Sequence, residues 1–196
     1  MLTRFGRAAL DGILRFRARW TARRLRPWLA SGDRVLDVGA GDCHLDAELH
    51  RRVGCTVVPV DVADGNRTTL PLQLYDGRTL PFADASFDVG LLVFVLHHAG
   101  DPAALLREVM RVCRRRIIVI EDINANGWDR RAFRGWHRIY AKLLGLEYPR
   151  HEWPPERWSA LAREVGLIER WGKPVGRQFG YLSTRQILYL WEPAPA

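Results

Sequence analysis

Asp37, Gly39 and Gly41 close an apolar run that begins at Arg34, and Asp42 and Cys43 follow directly. A strand that ends in two such glycines can turn sharply and bring backbone N–H groups against a ligand, while the next helix points its positive end at the same place. The carboxylate before the first glycine selects the ligand. Asp37 would repel a pyrophosphate, whereas it would hold a ligand that carries a cationic amino group and no phosphate. A nicotinamide dinucleotide site also asks for a third small residue where His44 stands.

A second apolar run, Thr56-Val57-Val58-Pro59-Val60, ends at Asp61. That acid lies roughly 20 residues beyond the glycines, the distance at which a strand-end carboxylate meets ribose hydroxyls. A third acid, Asp76, opens Asp76-Gly77-Arg78-Thr79-Leu80-Pro81-Phe82; Asp84, Ser86-Phe87-Asp88-Val89, an apolar run Gly90 to Leu96, and His97-His98 come next. Each acid has a plain alternative as an N-cap or turn residue. For the histidine pair two readings stay open: a general base, since imidazole titrates near neutrality, or a loop pair that caps and packs.

Taken in this order, residues Arg34 to Ile120 resemble the class I S-adenosylmethionine-dependent methyltransferases, in particular the type 11 branch related to ubiquinone and menaquinone biosynthesis methyltransferases. The resemblance implies that Asp37, Val38, Gly39, Ala40 and Gly41 surround the methionine part of S-adenosylmethionine. It implies Asp61 on the ribose hydroxyls with Val62 beside it, Asp76 on the adenine amino group with Gly77 beside it, and the Val93 carbonyl on the ammonium. Cys43 departs from the family's third glycine, and Val93 from a polar residue common there. If the acceptor must lose a proton, the candidates in order are His98, His97, His137 and Glu121. No metal is expected, because Cys43, Cys55 and Cys113 form no CxxC and suggest neither zinc nor a disulfide framework.

The elements that must position these residues alternate apolar strands with amphipathic helices, which reads as α/β. The expected fold is Rossmann-like and doubly wound: a mostly parallel seven-stranded sheet, helices on both faces, and an antiparallel C-terminal strand. A helix is expected over Ala103 to Arg114, behind Asp101-Pro102; the fifth strand over Arg116 to Ile120, ending at Glu121-Asp122; and a helix from Pro155, closed by Gly166. Strands near Leu167 to Trp171 and Thr184 to Leu190 complete the sheet. In such a sheet ligands lie over the carboxyl ends of the strands, so Asp37, Asp61, Asp76 and Val93 should share one crevice.

Residues 1–30 form a basic amphipathic helical cap ahead of a domain over residues 31–196, which carries a lid insert at residues 124–155. In the cap Leu2, Phe5, Ala9, Ile13, Phe16 and Trp20 recur at steps of three or four, and eight arginines face Asp11 alone, nearly all of the formal net charge of +8. Three readings follow: packing over an acceptor pocket, a peripheral membrane contact with anionic headgroups, and, least favoured, nucleic acid. The insert is rich in aromatics, among them Trp128, Phe133, Trp136 and Tyr148. An apolar or amphiphilic small-molecule acceptor suits it, and Arg130, Arg131, Arg134 and Arg138 could meet an acidic group on that acceptor. The expected function is methyl transfer from S-adenosylmethionine; the alternative is a non-catalytic module that binds the cofactor and docks through its basic helix. The expected location is the cytoplasm, with no apolar run near the roughly 20 residues needed to span a bilayer.

Overall fold

The computed structural model describes residues 4–144, 147–177 and 184–194. Seven strands form one sheet: β1 (Arg34–Val38), β2 (Thr56–Asp61), β3 (Gln73–Leu74), β4 (Phe87–Val93), β5 (Cys113–Asp122), β6 (Leu167–Gly176) and β7 (Gln186–Pro193). Their order is β3-β2-β1-β4-β5-β7-β6. The pairs from β3 to β5 are parallel, and β7 runs antiparallel to both neighbours. The strand order therefore reverses between β1 and β4, which leaves a crevice beyond their carboxyl ends.

Alternation along the strands divides the core. Leu36, Leu92, Ile117 and Val119 face one layer with Leu105, Leu106 and Val109 of α3 (Pro102–Val112) and Trp158 and Leu161 of α5 (Pro155–Glu164). Val35, Val89, Ile118 and Ile120 face the other, with Leu49 of α2 (His44–Val53) and Ala22 and Leu25 of α1 (Arg4–Leu25). α3 starts where the sequence indicates, with the Asp101 carboxylate accepting from Ala104 N–H and Pro102 in the first turn. α4 (Gly127–Leu144) fills the insert.

The first helix buries a different face from the one its sequence suggests. Leu10, Leu14, Ala18, Ala22 and Leu25 are buried, while Ile13 is 45% and Phe16 49% exposed. Leu2 lies outside the described residues. Two apolar stripes run along α1 at helical spacing, and the buried one places Ala22 and Leu25 in the core with Leu49 of α2 and Val35 of β1. His44 Nε2 to Asp11 Oδ1 (3.0 Å) and Arg19 to Glu48 (3.3 Å) then tie α1 to α2. Among the described residues no helix is long and apolar enough to cross a membrane.

Candidate cofactor and acceptor site

The turn after β1 is pinned by the neighbouring strand. Gly39 N–H and Ala40 N–H both donate to the Val60 carbonyl, at 2.8 and 3.1 Å. Gly39 has φ +76°, and a Cβ on it would lie 2.5 Å from Val95 Cγ2, so only glycine fits there. Gly41 also has positive φ, yet a Cβ there would meet no atom within 4 Å. One glycine is fixed by packing, and the other borders open space that a ligand can enter. Cys43, in place of a third glycine, is buried and holds left-handed φ (59°) as the N-cap of α2.

Asp61 binds both sides of this turn. Its Oδ2 accepts from Gly41 N–H at 2.8 Å, and its Oδ1 accepts from Val62 and Ala63 N–H at 2.7 and 3.2 Å. A carboxylate has about four lone-pair directions, so one on Oδ2 is left for a ligand hydroxyl. Asp76 is used locally: Oδ1 accepts from Arg78 and Thr79 N–H, both at 2.8 Å, and these bonds hold its carboxyl below the usual range. Its neighbour does converge on the site, since a Cβ on Gly77 would lie 3.2 Å from Val62 Cγ1. Val93 ends β4 directly beside the turn.

Asp37 is only 2% exposed and stands against a second buried acid, Asp46, in the first turn of α2. Asp37 Oδ1 and both Asp46 oxygens have no N–H or O–H partner among the described residues. Burial, then the neighbouring Asp46, pushes the Asp37 carboxyl well up, and burial raises Asp46 to about 7. Two such acids hold a proton between them at neutral pH. An entering ammonium would replace that proton, which makes Asp37 an acceptor in waiting more than the fixed negative charge its sequence suggests. Sequence reasoning missed Asp46; an acid in a helix's first turn reads as a partner for the helix dipole.

Val95, packed on Gly39, leads within two residues into the second half of the site. His97 Nδ1 makes a short hydrogen bond to Glu121 Oε2, and Glu121 Oε1 accepts from Leu96 N–H at 2.9 Å. His97 Nε2 faces His137 Nε2 at 3.2 Å, and His137 Nδ1 bonds the Phe133 carbonyl at 2.9 Å. The His98 ring lies 4.3 Å from the His97 ring and 5.8 Å from that of His137. All four sequence candidates for proton transfer thus meet in one cluster. Burial lowers His97 and His98 to about 4 and His137 to about 3, and raises Glu121 to about 8. The imidazoles are neutral at physiological pH.

Two elements close over this cluster. The Arg17 guanidinium of α1 sits 5.4 Å from the Phe94 ring centre, just past β4. From α4, Phe133 is fully buried beside His97 and His137, whereas Trp128 is 78% exposed. The lid arginines are not all free to meet an acceptor. Arg134 binds Glu152 at 2.8–2.9 Å, a partner 18 residues away that periodicity along the helix does not reveal.

The sheet order is that of a Rossmann-like fold, and solved structures with this fold include S-adenosylmethionine-dependent methyltransferases. A methyltransferase from Methanosarcina mazei described as SAM-dependent superposes with a TM-score of 0.67 at 16% identity, covering 88% of this chain and 97% of that one. The [4+2]-cyclase SpnF superposes with a TM-score of 0.69 at 16% identity, covering 92% of this chain and 81% of that one. At such identities the likeness is one of fold. Sequence adds a further likeness: residues 36–120 match the family described as Methyltransferase domain. A demethylmenaquinone methyltransferase of Corynebacterium kroppenstedtii is 39% identical over 98 residues, 48% of this chain and 42% of that protein. One from Beutenbergia cavernae is 38% identical over 99 residues, 46% and 41% of the two chains. The matched stretch thus spans about two fifths of the length of these curated relatives.

Proposed function

We propose that this chain binds S-adenosylmethionine at the β1/β4 crevice and transfers its methyl group to a small apolar or amphiphilic acceptor of the quinol or phenol kind. The observation that carries the reading is the set of open valences around one turn: Asp37 Oδ1 without a partner, one free direction on Asp61 Oδ2, and open space at Gly41. The ammonium answers the first, a ribose hydroxyl the second, and the methionine chain the third. The acceptor class follows the names of the relatives and the aromatic lid.

Bound S-adenosylmethionine supplies an electrophilic methyl on a sulfonium sulfur. The protein holds the acceptor nucleophile in line with it, which by itself can remove several kcal/mol of barrier. As the new bond forms, the carbon–sulfur bond breaks and its electron pair stays on sulfur, leaving S-adenosylhomocysteine. The acceptor's proton passes to an imidazole. His98 is the residue placed for this, being half-buried beside His97, whose own ring is held by Glu121. His97 and Glu121 act as positioning residues, and His137 borders the same space from the lid.

The cap at residues 1–30 and the lid at residues 124–155 frame the acceptor side in this reading. The exposed Ile13 and Phe16 among arginines support a peripheral membrane contact, which would bring an apolar acceptor to the site. A panel of lipids, reduced quinones and phenols incubated with methyl-labelled cofactor tests the proposal. Acceptor-dependent transfer is the expected result. Cofactor binding without transfer to any class would favour the non-catalytic module instead.

A further inference from the structure

The histidine cluster holds more than a proton acceptor needs. One ring nitrogen from each of His97, His98 and His137 lies within 4.8 Å of the other two. Two of these rings are held from behind. The Phe133 carbonyl can only accept, so His137 carries its hydrogen on Nδ1 and turns an unprotonated Nε2 inward. His97 is bonded to Glu121 through Nδ1, so its Nε2 is the ring nitrogen that faces the cluster. The two Nε2 atoms stand 3.2 Å apart, a separation that one shared hydrogen or one bound cation can span. Two nitrogens bound tetrahedrally to one ion at about 2.0–2.1 Å lie roughly 3.3 Å apart, close to the separation observed.

We infer that His97, His98 and His137 form a binding site for a divalent transition-metal ion of the zinc type. Three imidazoles suit zinc, cobalt, nickel or ferrous iron and are poor ligands for magnesium or calcium, which prefer oxygen. Glu121 behind His97 and the Phe133 carbonyl behind His137 supply the outer hydrogen bonds that orient metal-binding histidines. His98 and His137 are half-buried and His97 is buried, and three protein ligands would leave a four-coordinate ion one further position. That position takes solvent or, on the reading above, an acceptor hydroxyl; with the ion bound His98 serves as a ligand, and the proton of the ion-bound hydroxyl passes to solvent rather than to an imidazole. Metal binding itself requires neither cofactor nor acceptor. The sequence hid the site because its ligands come from a loop and from a helix 40 residues away, without a Cys or His-x-x-x-His motif.

The full chain, stripped with chelator and dialysed, should take up one Co2+ per molecule and develop the visible ligand-field bands of a four-coordinate ion. Zn2+ should displace it and bleach the bands. His137→Ala and His98→Ala, each checked for an unchanged circular dichroism spectrum and melting temperature, should weaken binding at least hundredfold. Glu121→Gln should weaken it about 10–100-fold, as loss of an outer hydrogen bond does elsewhere. His50→Ala, on α2 away from the cluster, should change nothing. The inference is overturned if the parent binds no Co2+ stoichiometrically, or if its bands survive both His98→Ala and His137→Ala. It is also overturned if His50→Ala removes them. Failure of methyl transfer with intact cobalt bands would count against the proposed function and leave the metal site standing.

Discussion

Replacing Asp61 should cost cofactor affinity in a way the hydrogen bonds around it specify. Its carboxylate accepts three backbone N–H groups, from Gly41, Val62 and Ala63, which leaves one direction for a ribose hydroxyl. Asp61→Ala removes that ligand bond and unties the glycine turn from the loop after β2. A hydrogen bond to a charged group contributes about 1.5–3 kcal/mol, so Kd should rise roughly 10- to 150-fold. Asp61→Asn should rescue little. Its amide group must aim NH2 at either the Gly41 N–H or the Val62 N–H, and donor then faces donor. Titration calorimetry with S-adenosylhomocysteine measures both variants, and thermal melts without ligand show how much of the loss is in the loop itself. Parent-like affinity in Asp61→Asn would refute the bonding pattern, and parent-like affinity in Asp61→Ala would remove Asp61 from the site.

The paired acids give a pH signature of definite sign. Asp46 is raised to about 7 when folded, so between about pH 4 and 7 the folded chain binds more protons than the unfolded one, and stability falls as pH rises, by up to about 1.4 kcal/mol per pH unit for one proton. Asp46→Asn should flatten that slope in denaturant titrations, and an unchanged slope would place the titrating group elsewhere. Cofactor binding should release a proton from the Asp37–Asp46 pair at neutral pH, read as a calorimetric heat that varies with buffer ionisation enthalpy; buffer-independent heats would contradict it. Gly39→Ala should destabilise by roughly 2–5 kcal/mol through positive φ and the clash with Val95, whereas Gly41→Ala should cost only about 1–2 kcal/mol in stability yet impair cofactor binding. Equal effects of the two would mean that Gly41 does not border the ligand. Ile13→Glu should leave the melting temperature nearly unchanged and weaken salt-sensitive sedimentation with anionic vesicles; parent-like sedimentation would reject that contact.

What the sequence revealed follows from how local its signals were. β1 and β2 could be bounded because each is a short apolar run with a carboxylate at or near its carboxyl end, and Asp61 bonds the Gly41 N–H of the turn after β1. β5 starts at Cys113, three residues before the expected Arg116, since the exposed arginines at its entrance mask a strand that is already paired with β4. β6 runs past its expected end for a similar reason, being the sheet's outermost strand with largely exposed residues and no apolar pattern. The buried face of α1 was illegible because either apolar stripe satisfies helical periodicity, and the choice between them is made by α2 and the core, which are distant in sequence. Asp46 stayed hidden because its chemistry comes from lacking a partner once buried, which no spacing rule encodes. Even the histidines, found by type, gained their arrangement from Glu121 and Phe133 behind them.

The central claim is that the crevice beside Asp37 is built for a cationic, phosphate-free cofactor, and competition binding on the full chain tests it most directly. S-adenosylmethionine and S-adenosylhomocysteine should bind saturably, one per chain, and a large excess of NADH should displace neither. If NADH binds in that crevice while the sulfonium cofactor does not, the assignment of Asp37, Gly41 and Asp61 is wrong and the proposed function falls with it.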